Sequence, residues 1–150
     1  MSVEIENLKQ ELSALAERIA LQGFGIKLDY SVESIREADK VLGGLHEEFK
    51  TTKNDEGFTG IALEFAAYIV RVAEKATENV RWERDHPKIG KDSFPLYLGK
   101  DDAVFPLGWC SKRLYDGPGD DIWTKFNLLI LKRDPPIEER KGFFRKLFSG

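Results

Sequence analysis

Cysteine is nearly absent: Cys110 stands alone among 150 residues. It closes no intrachain disulfide and offers no thiolate set for structural zinc, so packing must hold the fold and a reduced, cytoplasmic setting is the expectation. Histidine is almost as scarce, with His46 and His86 the only two. His46-Glu47-Glu48-Phe49 offers one histidine where the His-Glu-x-x-His helix of a zinc protease needs two, and Phe49 cannot coordinate a metal. His86 lies in an Asp85-His86-Pro87 turn with no nucleophile at hand. Gly23-Phe24-Gly25 lacks the rest of a dinucleotide fingerprint, and Gly117-Pro118-Gly119 lacks the lysine and hydroxyl of a phosphate loop. No metal and no cofactor are therefore expected. Positive charge is not in surplus either: 23 Lys and Arg face 26 Asp and Glu, a formal net charge of -3, which argues against a nucleic-acid partner. The opening residues lack the basic-then-apolar order of a secretory signal, and no apolar run approaches the roughly 20 residues of a membrane-spanning helix.

What the chain does have is periodicity. Ile5, Leu8, Leu12, Leu15 and Ile19 recur at steps of three and four, which predicts an amphipathic helix stopped near Gly23 and Gly25. The seam spans under three heptads and suits intramolecular packing, with a coiled-coil pair as the alternative, so monomer and homodimer both stay open. Asp29-Tyr30-Ser31 opens a second helix, Ser31 acting as a hydroxyl cap, with Ile35, Ala38, Leu42, Leu45 and Phe49 as its stripe. Each of Gly43 and Gly44 costs about 1 kcal/mol there relative to alanine, so the pair marks a bend or the close approach of another backbone. After a polar loop from Lys50 to Glu56, the positions Ile61, Phe65, Tyr68, Ile69, Val72, Ala76 and Val80 describe a third, longer helix.

At Val80 the period changes to two. Val80-Arg81-Trp82-Glu83-Arg84 reads as a strand with Val80 and Trp82 inward, Phe94, Leu96 and Leu98 as a second, and Val104-Phe105-Pro106-Leu107 as a third. Pro95 and Pro106 remove amide donors, so pairing should be irregular. A short helix over Trp109 to Leu114 follows. Asp120 then caps a last helix carrying Ile122, Trp123, Phe126, Leu129 and Ile130, ended by Asp134-Pro135-Pro136. The fold class is α+β: three amphipathic helices packed with a small irregular antiparallel sheet and a further C-terminal helix. One domain spans 1–136, with a basic-aromatic tail over 137–150.

Catalytic chemistry has little to stand on. Cys110 precedes the cations Lys112 and Arg113, which would favour its thiolate if the segment were exposed, but no imidazole is placed beside it. Glu64, Glu74, Glu78, Asp85 and Asp120 could in principle supply a general acid and base, so a small hydrolase is the alternative function. A binding surface has better residues. Arg81, Trp82, Lys112 and Arg113 together offer guanidinium and aromatic contacts to an acidic peptide or a phosphate group, although the same aromatics would serve as core with the cations reaching outward. In the tail, Phe143, Phe144, Leu147 and Phe148 interleave with Arg145 and Lys146. Six cations face three acids from Lys132 to Lys146. That pattern suits docking on the domain itself, on a protein groove or on an anionic membrane.

Leu28-Asp29-Tyr30-Ser31, followed by Glu33-Ser34 and Asp39, resembles the opening of an uncharacterised family of small bacterial cytoplasmic proteins, in which such an entry precedes paired helices. Gly60 and Tyr68, Arg81-Trp82, Phe94-Pro95-Leu96, and Phe105-Pro106-Leu107-Gly108 before Lys112-Arg113 continue the resemblance from Ile26 to Ile130. It implies an α+β fold and no assigned catalytic residues. Small bacterial proteins of this character include immunity proteins and adaptors, so the expected function is a non-enzymatic interaction module with a protein partner.

Overall fold

The computed structural model describes residues 3–135. The tail residues Phe143, Phe144, Arg145, Lys146, Leu147 and Phe148 lie outside the described residues. Helix α3 (Phe58–Ala76) is buried along nearly its whole length, because alanines and β-branched residues separate its large side chains and let neighbours approach from several sides. It touches α1 (Val3–Phe24), α2 (Ser34–Thr52), α4 (Pro106–Asp116) and strand β1 (Val80–Trp82). Strand β2 (Leu96–Leu98) pairs antiparallel with β1 and with β3 (Asp102–Val104), giving the order β1-β2-β3. A helical segment closes the described chain: α5 (Ile122–Lys125) runs into a wide π turn over Phe126–Ile130.

Helix α1 turns inward a stripe different from its leucines. Ile5, Lys9, Ser13, Ala16 and Ala20 are buried, whereas Leu8, Leu12, Leu15 and Ile19 lie half-buried at the margin. The offset is one residue, about 100° around the helix axis, and polar contacts to α3 explain it. Lys9 is 2% exposed and holds Glu74 at 2.7 Å. Arg71 Nη1 donates to Ser13 Oγ at 2.9 Å and to the Tyr30 hydroxyl at 2.8 Å. The Tyr30 hydroxyl in turn donates to Glu17 at 2.6 Å.

The Leu-Asp-Tyr-Ser segment is the clasp between these helices. Tyr30 adopts φ 64°, a left-handed conformation strained for an aromatic residue. Its amide donates to the Tyr68 hydroxyl at 2.8 Å, and its ring stacks on Tyr68 with centroids 4.6 Å apart. Ser31 Oγ accepts the Ser34 amide at 3.2 Å, but within the turn that leads into α2; the N-cap position itself is Glu33, whose side chain makes no cap bond, so the expected Ser31 cap sits one turn early. Burial, with the Glu17 carboxylate next, pushes the Tyr30 phenol up to about 12. The folded state therefore keeps a proton that the unfolded chain releases near 10.0. The resulting stabilisation is complete below that pH and is lost as pH rises toward about 12. Tyr30→Phe should flatten the alkaline fall in urea midpoint, leaving the part due to Tyr68, whose phenol burial also raises; an equally steep fall in the variant would refute this.

Several boundaries differ from the sequence expectation. Helix α3 stops at Ala76 because Thr77 turns extended and Asn79 takes φ 61°, so Val80 belongs to the sheet alone. Strand β3 ends at Val104; Pro106 begins α4 instead, at a helix position where a missing amide leaves no bond unmade. Asp121, not Asp120, caps α5 and accepts from the amides of Trp123 and Thr124. The π turn places Asn127 in the core and leaves Leu129 39% exposed. What approaches the glycine pair in α2 is side chains and not another backbone: a Cβ at Gly43 would sit 2.4 Å from Arg113 Nη2, and one at Gly44 2.4 Å from the Phe24 ring.

Candidate functional site

The four residues expected to form one recognition area divide between two parts of the fold. Arg81 and Trp82 are neighbours on β1 and point to opposite faces, as strand geometry requires. Trp82 is 0% exposed, packs on Phe94 and donates its indole N–H to the Phe94 carbonyl at 3.3 Å. It supports the sheet and touches no solvent. Lys112 is exposed on α4. Arg113 is 7% exposed and lies where α2, α4 and α5 meet. Its Nε donates to Asp39 Oδ1 at 2.9 Å, and the same oxygen accepts the Ile122 amide at 3.1 Å. Burial pushes the Asp39 carboxyl up, and the Arg113 guanidinium opposes it. Among the described residues no hydrogen bond, ion pair or ring contact joins Arg81 to Lys112 or Arg113.

The catalytic alternatives are likewise dispersed. Cys110 is fully buried, which drives its thiol far above the usual range and leaves no thiolate to act. His46 Nδ1 lies 2.8 Å from the Leu114 carbonyl, and Gly117 gives its ring room. Glu74 holds Lys9, Asp120 meets Lys125 at 3.3 Å, and Asp85 accepts the Asp92 amide at 2.8 Å. Burial raises the Glu64 carboxyl, but no second carboxylate is paired with it among the described residues. Among those residues, no group of three or more His, Cys, Asp and Glu is arranged to hold a metal ion.

What the structure does assemble is a ladder on the outer face of the sheet. The register sets Arg81 beside Tyr97 and Tyr97 beside Ala103, on the side opposite Trp82 and Leu96. Arg81 lies over the Tyr97 ring at 4.7 Å. The His86 ring is nearly parallel to Tyr97, with centroids 6.0 Å apart, and Phe105 tilts against His86 at 5.7 Å. Arg81 makes a loose, exposed ion pair with Glu83 at 3.4 Å, and half of its side-chain surface is open to solvent. Sequence reading found Arg81 and missed Tyr97, His86 and Phe105. Tyr97 was within reach, since alternation in Leu96-Tyr97-Leu98 sends it outward; His86 joins only because its loop folds back over the sheet.

Comparison with protein-family models, with curated proteins and with solved structures finds no match. Among the described residues, no helix is long and apolar enough to cross a membrane.

Proposed function

We propose that the protein is a non-enzymatic cytoplasmic interaction module, adaptor-like or immunity-like, that receives a protein partner on the outer face of its sheet. The observation that carries this reading is the Arg81-Tyr97-His86-Phe105 ladder, which gathers rings and a guanidinium on the face turned away from the core. Aromatic and arginine side chains supply most of the affinity at protein interfaces, and a stacked guanidinium is already ordered before contact. The resemblance to small bacterial cytoplasmic proteins supports the same setting. The acidic net charge of -3 favours a protein over a nucleic acid as the partner.

Capture from native lysate tests the proposal when wild type is compared with Arg81→Glu and Tyr97→Ala. Both substitutions lie on an exposed or half-exposed surface and should leave far-ultraviolet dichroism unchanged. A specific partner should be recovered by wild type and by Lys40→Glu, and reduced at least about tenfold by each ladder variant. Equal recovery by all four proteins would reject the face.

A further inference from the structure

The loop between β1 and β2 is organised from within. His86 and Gly90 exchange both backbone hydrogen bonds, at 3.0 and 2.9 Å. His86 Nδ1 accepts the amides of Lys88 and Ile89 at 3.1 and 3.2 Å. The Ser93 hydroxyl donates to the Gly90 carbonyl at 2.8 Å, and Asp85 takes the amide of Asp92, whose carboxylate holds Arg84 Nε at 2.6 Å. Gly90 makes the turn possible at φ 124°. The His86 ring, lying against Tyr97 and Phe105, fastens this loop to the outer face of the sheet.

At its crown stands Ile89, 64% exposed. Among the described large hydrophobics only Val3, at the edge of the described chain, is more exposed, at 76%. Ile89 is not part of the buried core, so the hydrogen bonds of this loop hold an isoleucine largely in water. Exposed Lys88 and Lys91 flank it, and neither makes a salt bridge among the described residues. Two cations beside an apolar knob complement carboxylates bordering an apolar pocket, and the net charge of -3 opposes approach to the strongly anionic surfaces of nucleic acid and acidic lipid.

We infer that Ile89 is the anchor of the interface: it enters an apolar pocket on a partner protein whose rim carries carboxylates facing Lys88 and Lys91. The inference rests on the proposed interaction role of the same face and names the partner's chemistry. Because the loop is already ordered, little conformational entropy is lost on binding. Carboxylates on the rim would also speed the approach in a salt-dependent way.

Photocrosslinking with the full chain decides it. Benzoylphenylalanine is incorporated at position 89 in one protein and at position 97 in another, each is irradiated in native lysate, and crosslinked residues are read by mass spectrometry. Position 89 should label apolar residues of one protein bordered by Asp or Glu. With that protein purified, Ile89→Asp should weaken binding at least about tenfold. Lys88→Glu with Lys91→Glu should weaken it too, by a factor that shrinks as salt rises. Crosslinking from 97 but not 89 overturns the anchor and leaves the ladder reading standing; absence of a specific crosslink from both overturns both. Capture of lipid or nucleic acid at 89, or binding indifferent to the lysine reversals, overturns the partner class.

Discussion

Arg113→Ala should lower the free energy of unfolding by about 3–5 kcal/mol, the range expected when one member of a buried ion pair is removed. The loss comes mainly from what is left behind. Asp39 would remain among α2, α4 and α5 with the Ile122 amide as its surviving partner, its charge no longer balanced by the guanidinium. Burial already raises the Asp39 carboxyl with Arg113 present. Without Arg113 its proton is held longer, so the deficit should shrink as pH falls into the carboxylate range and the group discharges. Replacing both members with apolar residues, Asp39→Leu with Arg113→Met, should recover part of the loss, the remainder being the cost of the Ile122 amide left without its acceptor. Urea unfolding followed by far-ultraviolet dichroism measures all three proteins, and a single-variant loss below about 1 kcal/mol would show that the pair does not fasten the helices. Gly43→Ala should act through the same guanidinium, because its methyl occupies the space of Arg113 Nη2.

Trp82→Ala should cost about 3–5 kcal/mol, through lost transfer energy and the cavity left under the sheet. The indole packs on Phe94 with ring centroids 5.2 Å apart, and its N–H satisfies the Phe94 carbonyl. Removing it therefore leaves a void and an unpaired buried acceptor. Its neighbour gives the internal comparison: Arg81→Ala, on the opposite face, should stay within about 0.5 kcal/mol of wild type. Thermal melts of the two variants side by side should separate them widely. Similar melting temperatures would contradict the assignment of inner and outer faces, and the proposed interaction surface with it.

Most of the architecture was legible because it follows from period. Steps of three and four marked α2 and α3, and the change to alternation at Val80 marked the sheet. Legibility failed where a polar residue is buried by a distant partner. Nothing near Lys9 or Ser13 in sequence announces that Glu74 and Arg71, 65 and 58 positions later, will receive them, so the leucines beside them took the seam. Arg113 was read as surface for the same reason, since Asp39 lies 74 positions earlier. Gly43-Gly44 announced a close approach but not what approaches. On the candidate surface, strand alternation was enough to turn Arg81 outward and Trp82 inward, whereas the position of His86 depends on a loop closure that no local pattern encodes.

The Asp39 joint also sets an order of events during synthesis. The carboxylate is made early, but Arg113 follows 74 residues later and the Ile122 amide 83 residues later. At roughly 5–20 residues per second, that is a wait of about 4–17 s. Throughout it the apolar faces of α2 and α3 lack the α4 and α5 residues that cover them, among them Leu114, Ile122 and Trp123. A nascent chain stalled before residue 113 therefore carries finished helical sequences without a finished core, the kind of intermediate that chaperones hold and proteases remove.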